Sequence, residues 1–370
     1  MNFSDLTYKI AFSLVKNISA ESATTILDKL GNDPRRFFDA AESYLHREVN
    51  LSAEIASKSY RDSLLAKAQD EEQFVTKSHI TCLSYSDANY PKLLRECPDA
   101  PVMLYVLGNP DLNLLRPVAI VGTRHNTTYG ENFTKNLVND LAESVDGIGV
   151  ISGLAYGTDI CAHRAALQAK TPTIAVLANP MDSIYPAEHR EDAIRIIREG
   201  GSIVSETPSF GAVNRFSFLQ RNRIIAGLAL ATIVVESDRQ GGSMATARLA
   251  NEYNREVYAV PGRTFDQYSR GCNHLIATQN AHLIENAQSF ISDMRWPTKP
   301  KNGTQQELPL VLDDDEAKII SILEQSSAIN VNDLIRETGL AYPTLMDITF
   351  RMELKGLIRM LPGNCYTIIH

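Results

Sequence analysis

Arg221, Asn222 and Arg223 stand side by side shortly after Phe218, and a mostly apolar run from Ile224 to Val235 follows them. Read as the opening turn of an apolar helix, this block sets two guanidinium forks beside the unpaired amides of a helix start. That combination suits phosphate oxygens, because arginine grips phosphate bidentately and helix-start amides add a fixed positive partial charge. A second block, Gly241-Gly242-Ser243-Met244-Ala245-Thr246, opens the next helical pattern and offers the same kind of backbone donors. Residues 215 to 270 hold eight Arg, no Lys and five acids, a basic stretch inside a chain of net charge −8. Phe216 and Phe218 lie beside these arginines. Stacking on unpaired bases is the reading for Phe218, while for Phe216 core packing stands equally open.

These residues need a frame that gathers them. From Val118 onward, short all-apolar segments alternate with amphipathic ones. Strands are expected at 118–121, 150–151, 173–177, 202–205, 232–235, 257–260 and 282–284. Helices are expected at 129–143, 158–169, 187–198, 222–230, 243–253 and 273–278. This alternation predicts an α/β fold, a parallel sheet covered on both faces, in which ligands sit outside the carboxyl ends of the strands. Upstream, residues 1–80 carry helical spacing at Ile10, Leu14 and Val15 and again at Ile26, Leu27 and Leu30, with Gly31 ending the second helix. The turn between them lacks the glycines of a DNA-backbone hairpin, which favours a helical packing module. Residues 81–117 read as a connector broken by Pro91, Pro98, Pro101, Pro110 and Pro117, and the sheet region runs on to 296. Residues 297–313 read as a linker, and 314–370 as three helices and a hairpin resembling a winged helix. That last module has five Lys or Arg against eight Asp or Glu, so it is expected to contact protein rather than DNA.

Three expected strand ends carry turn-like glycines: Gly122-Thr123-Arg124, the loop from Ser152 through Gly153 and Gly157 to Asp159, and Gly241-Gly242-Ser243. One such loop signifies only a tight turn, but three on one rim with Arg124, Arg221 and Arg223 signify an anion site. The loops match neither the dinucleotide fingerprint nor the Walker lysine motif, which argues against NAD binding and ATP hydrolysis. Cys161 and His163 stand two apart on one helix and so face different sides, which argues against a nucleophile pair, and His163 is expected to fix the preceding loop. Glu206 and Glu236 each end a strand; acid/base work and orientation of the arginines are both open, with orientation favoured. Five scattered cysteines without a C-x-x-C pair point to a reduced protein with no zinc site. No apolar run reaches the roughly 20 residues that span a bilayer, so a soluble, cytoplasmic protein is expected.

Taken together, these pieces resemble the DNA-processing protein A family, also called Smf. The resemblance runs from about 118 to 285 through Val118-Ala-Ile-Val-Gly-Thr-Arg124, Ser152-Gly-Leu-Ala-Tyr-Gly-Thr-Asp159, Ala162-His163, Tyr185-Pro186 and Ser205-Glu206. It continues through Phe218 with Arg221-Asn222-Arg223, Gly242-Ser-Met-Ala-Thr-Ala247, Pro261-Gly262 and Gly271-Cys-Asn-His-Leu-Ile276. It implies an extended Rossmann-like fold that binds single-stranded DNA without catalysis or cofactor and forms a homodimer. It also implies assistance in loading the RecA recombinase in natural transformation. By the same resemblance the N-terminal helices match a SAM-like or helix-hairpin domain and the C-terminal module a variable winged helix. The expected DNA-binding residues are Arg124, Gly153, Gly157, Phe218, Arg221, Asn222, Arg223, Gly242, Ser243 and Thr246, and replacing Arg221 and Arg223 by Ala is expected to weaken binding without unfolding. Departures occur at Leu219, where the family has Pro, at Ala178-Asn179-Pro180 and at Gln279-Asn280-Ala281. The competing reading is a nucleotide phosphoribohydrolase of the same superfamily; its motif needs a Glu three residues after the threonine, and no Glu stands there after Thr246.

Overall fold

A computed structural model of the chain describes residues 3–299, 313–324 and 328–369. The chain divides into two compact units, residues 1–300 and 301–370. The linker expected at 297–313 falls mostly on residues 300–312, outside the described residues.

The first unit opens with six helices: α1 (Asp5–Ser13), α2 (Ala20–Lys29), α3 (Pro34–Asp39), α4 (Glu42–Arg47), α5 (Ala53–Ala56) and α6 (Lys58–Lys77). The sequence pattern resolves only the first two, because most of the others are a turn or two long and too short for a periodic signal. Side chains of Ser4, Ser19, Asp33, Ser52 and Ser57 cap five of these helix starts. Their apolar faces, Ile10, Phe37, Leu45 and Leu64 among them, form one core that also takes in Val102, Met103 and Tyr105. The helical segment therefore packs as a module on the edge of the sheet.

The rest of the unit is β1 (Thr81–Ser84), α7 (Lys92–Arg95), β2 (Met103–Gly108), β3 (Arg116–Val121), α8 (Thr128–Ser144), β4 (Ile148–Ser152), α9 (Thr158–Gln168) and β5 (Thr173–Val176). It continues with α10 (Arg190–Arg198), β6 (Ser202–Ser205), α11 (Arg215–Leu228), β7 (Ala231–Val234), α12 (Gly242–Glu252), β8 (Glu256–Ala259), α13 (Arg270–Ala277), β9 (His282–Leu283) and α14 (Ala287–Asp293). Nine strands form one sheet in the order β1-β2-β6-β5-β4-β3-β7-β8-β9. Seven run parallel, and β1 and β2 complete one edge antiparallel. The supposed connector thus supplies two strands: its prolines bracket Met103–Gly108 without interrupting it, and Tyr90, fully buried, donates its hydroxyl to the Pro101 carbonyl at 2.7 Å.

Alternation along β3 shows how the sheet is covered. Val118 and Ile120 pack with Leu137, Val138 and Leu141 of α8, while Ala119 and Val121 pack with Ile224 and Ile225 of α11. Because β3 has β4 on one side and β7 on the other, the winding direction reverses there. A crevice at the carboxyl ends of β3 and β7 is the consequence.

Two buried polar groups hold elements together. Glu71 of α6, almost fully buried, accepts hydrogen bonds from the Ser209 amide at 3.0 Å and from its hydroxyl, tying the helical module to the segment after β6. His163 of α9 faces Thr173 of β5 with Nδ1 at 2.7 Å; the Thr173 hydroxyl donates to Val150 O, which leaves it to accept from the ring N–H. His163 therefore secures α9 to the sheet, whereas the preceding loop is held by His189, whose Nδ1 lies 2.7 Å from Leu154 O.

The second unit has α15 (Asp314–Glu324), β10 (Ile329–Asn330), α16 (Val331–Thr338), α17 (Tyr342–Leu354), β11 (Ile358–Leu361) and β12 (Cys365–Ile368). Its strands pair antiparallel in the order β10-β12-β11. Ile319, Leu334, Leu345, Ile348 and Met352 form its own core. Among the described residues, no helix is long and apolar enough to cross a membrane.

Glu71→Ala should lower stability by about 2–3 kcal/mol, since its charge-assisted bonds to Ser209 leave with it; an unchanged urea midpoint would show that these bonds hold nothing. Burial pushes His163 down to about 3, below its ordinary 6.5. The folded chain then binds fewer protons than the unfolded one between these values, so this residue's contribution is present above pH 6.5 and lost as pH falls toward 3. In His163→Leu, stability should decline less steeply with acid, by up to about 1.4 kcal/mol per pH unit. Equal slopes for the two proteins would refute the assignment.

Candidate nucleic-acid interface

Three loops interlock at the crevice. The Thr123 amide donates to Glu236 O at 2.7 Å, and the Thr158 amide donates to Thr123 O at 3.1 Å. Gly122 allows this approach, because a Cβ there would stand 2.3 Å from Thr158 Oγ1. Gly157 takes φ +75°, and a Cβ on it would meet Thr123 O at 2.3 Å. The result is a cavity of about 410 Å³.

Arg124, Phe218, Arg221, Asn222, Gly242, Ser243 and Thr246, seven of the ten expected site residues, line this cavity. Phe218, Arg221, Asn222 and Ile225 reach it together because they lie at i, i+3, i+4 and i+7 on α11. Arg124 is exposed, with its guanidinium carbon 5.7 Å from the centre of the Phe218 ring. Tyr185 meets the same ring edge-on at 5.8 Å, and His125 and Tyr268, both on the cavity wall, stack at 6.5 Å. The sequence pattern does not assign Tyr185 or Tyr268 to the site, since each joins it through a contact distant in the chain, and it passes over His125, the neighbour of Arg124 in the same loop.

The anion donors differ from the sequence expectation. α11 begins at Arg215, capped by Asn214, whose Oδ1 accepts from the amides of Phe216 and Ser217 at 2.8 and 3.1 Å. The Arg-Asn-Arg block therefore lies in mid-helix, where its amides are spent on helix bonds, and Leu219, unlike a proline, does not delay the helix start. At the start of α8, the Thr127 amide and hydroxyl donate to the Glu236 carboxylate at 2.8 and 2.6 Å. α12 has Gly241 at its N-cap with no side-chain cap, and Gly242 and Ser243 are on the cavity wall, so this helix start supplies amides to the site. The Asn222 amide group donates to Gly242 O at 3.4 Å and joins α11 to it.

Arg221 is 5% exposed. Its Nη1 donates to Gly153 O at 2.6 Å and to Val176 O, and a Cβ on Gly153 would stand 2.0 Å from that nitrogen. Burial holds the guanidinium below arginine's ordinary range, with Asp159 pulling the other way. Its removal would orphan buried carbonyls, so the expectation that Arg221→Ala spares the fold is corrected. Gly153 itself lies beneath this guanidinium, and Gly157 shapes the loop without lining the cavity. Arg223 lies two residues on and points elsewhere, as helix geometry requires. It pairs with Glu206 and donates to Asp99 O, on the wall of a separate cavity.

Glu206 thus orients an arginine, whereas Glu236 serves α8, and the two do not act as a pair. Cys161 points to Glu131 O, and burial pushes its thiol up to about 11. With His163 bonded to Thr173, no Cys–His pair exists among these residues. Burial raises Asp159, partly countered by Arg221, while a bond from Gln267 and then the Arg239 amide lower Asp238, the cavity's second acid. Phe216 is 72% exposed and so is not a core residue. Among the described residues, no cluster of three or more His, Cys, Asp or Glu comes together as a metal site.

Comparison with known proteins fits this geometry. The profile of the DNA recombination-mediator protein A family matches residues 81–295, and that of the DprA winged helix domain residues 303–364. Protein Smf of Synechocystis sp. is 37% identical over 319 residues, spanning 77% of this chain and 79% of that protein. DNA processing protein A of Streptococcus pneumoniae superposes with a TM-score of 0.64 at 28% identity, covering 79% of this chain and 99% of its own. The Helicobacter pylori protein of the same name, whose structure is described for a unique single-stranded DNA binding mode, gives a TM-score of 0.52 at 33% identity, covering 58% of this chain and 95% of its own. With a family profile over more than half its length and such identity along most of it, the chain belongs to the DNA processing protein A (Smf) family.

Proposed function

We propose that the switch-point cavity binds single-stranded DNA, and that the protein passes the strand to the RecA recombinase during natural transformation. The observation that carries this reading is the exposed Arg124 guanidinium over the Phe218 ring, beside the uncapped start of α12. The pair gives one base a stacking face and one phosphate a charged fork. Only an unpaired base offers its face to such a ring, which selects single strands over duplex. The Helicobacter pylori relative, described for its single-stranded DNA binding mode, supports the same substrate. Binding without catalysis agrees with a buried Cys161 thiol and a buried, neutral His163. We further infer a cytoplasmic homodimer formed through the Rossmann-like region, with the N-terminal helices and the second unit reserved for protein contacts. On α17, Tyr342, Phe350 and Leu354 are exposed, and the acidic balance of that unit repels phosphate.

In titrations with fluorescent oligonucleotides, single strands should bind more tightly than duplex. Arg124→Ala should weaken binding and reduce the salt slope by about 0.7, the share of one phosphate contact on a single strand. Phe218→Ala should weaken binding by about 1–3 kcal/mol, while Arg223→Ala should leave affinity near wild type. Unchanged affinity in both cavity variants would refute the site. A chain ending after residue 299 should bind as the whole chain does; loss of binding with an intact circular dichroism spectrum would return DNA contact to the second unit.

A further inference from the structure

A second trough adjoins the cavity. Asp238 and Gln240 belong to the walls of both, and beyond them Arg239, Thr264, Arg270 and His274 line an open depression of about 800 Å³. Arg239 and Arg270 are exposed, and neither has a carboxylate within ion-pair distance among the described residues. Both are near enough to Asp238 to help hold its carboxyl below the ordinary range, after the bonds from Gln267 and the Arg239 amide. The loop between β8 and α13 spans the two depressions, with Tyr268 on the first wall and Thr264 on the second. It is braced rather than loose: Asn273 Nδ2 donates to Gly262 O at 2.9 Å, Gly262 N donates back to Asn273 Oδ1 at 3.2 Å, and Ser237 N donates to Tyr268 O at 2.6 Å. From this fixed loop Phe265 projects with 90% of its surface exposed, next to Arg263.

We propose that the strand held in the switch-point cavity continues over the Asp238–Gln240 sill into this trough. Its phosphates would meet Arg239 and Arg270, and a further base would stack on Phe265. This inference rests on the single-strand reading of the first cavity and extends it to a second, contiguous subsite. Three features select a polynucleotide here: continuity with the cavity, unpaired guanidinium groups of one sign, and an exposed aromatic ring on a loop pinned at both ends. A mononucleotide would fill the first cavity alone and leave the trough empty.

The test compares a short oligothymidylate of about 6 nucleotides with one of about 20, both within or above the span of single-strand sites. The full chain, Arg239→Ala/Arg270→Ala, Phe265→Ala and Arg124→Ala are titrated with each. On the long strand the double variant should lower the salt slope by about 1.4, and Phe265→Ala should weaken binding about tenfold. On the short strand both should bind as wild type does, while Arg124→Ala weakens both lengths. Wild-type affinity for the long strand in the trough variants would overturn the proposal, as would equal losses at both lengths. A change in sedimentation of Phe265→Ala without a change in long-strand affinity would assign the ring to self-association and overturn it as well. Failure of the wild-type chain to bind either strand would instead refute the first-cavity reading.

Discussion

The arrangement depends on one buried cation. The Arg221 guanidinium joins the carbonyl after β4, at Gly153, to the carbonyl ending β5, at Val176, and brings α11 down onto both. A buried guanidinium is tolerated only with hydrogen-bond acceptors and a counter-charge, which the two carbonyls and Asp159 supply. Once Arg221 is fixed, helix geometry fixes the rest: Phe218 lies one turn earlier on the same face and Asn222 reaches Gly242, Leu219 stands between the two cavities, and Gln220 and Arg223 line the other one. An arginine that sequence reasoning assigned to ligand contact is thus also the brace that positions the cavity wall.

Charge distribution decides where a chain of net charge −8 presents free cations. At physiological salt the Debye length is about 8 Å, so acids on distant surfaces are screened and the local balance governs. That balance is set by pairing. Arg223, Arg248, Arg255 and Arg164 each lie within ion-pair distance of a carboxylate. Around the switch point Arg124, Arg239 and Arg270 have none among the described residues. Eight arginines between residues 215 and 270 therefore overstate the available charge, and location separates the free ones from the paired ones.

Much of the sheet is legible in the sequence because most of its parallel strands are short apolar runs, several of them followed or preceded by glycine, although β9 is only the exposed pair His282–Leu283. β1 and β2 escape that pattern: they lie in a proline-rich stretch, and Thr81–Ser84 has only an edge strand's mixed burial. The start of α11 escapes because its capping box, Asn214 with Ser217, precedes a turn whose apolar residues, Phe216, Phe218 and Leu219, do not form one buried face. The cavity residues are legible where glycine and arginine mark loops at strand ends. Direction is not legible from adjacency, as Arg221 and Arg223 demonstrate, although a rotation of 100° per residue already separates them. Contacts such as Tyr185 on Phe218 or Tyr268 on the wall depend on the fold and have no local signal.

The chemistry near the crevice follows from the same burial that shapes it. General acid–base and nucleophilic catalysis need groups poised near neutrality, and burial here drives groups away from it: the Cys161 thiol up to about 11, Cys272 up to about 12 and His163 down to about 3. What the crevice turns to solvent is a permanently charged guanidinium, aromatic faces, the His125 imidazole, the Asp238 carboxylate and helix-start amides. The guanidinium and the amides keep their charge at neutral pH, so any affinity they produce for an anion should respond to salt.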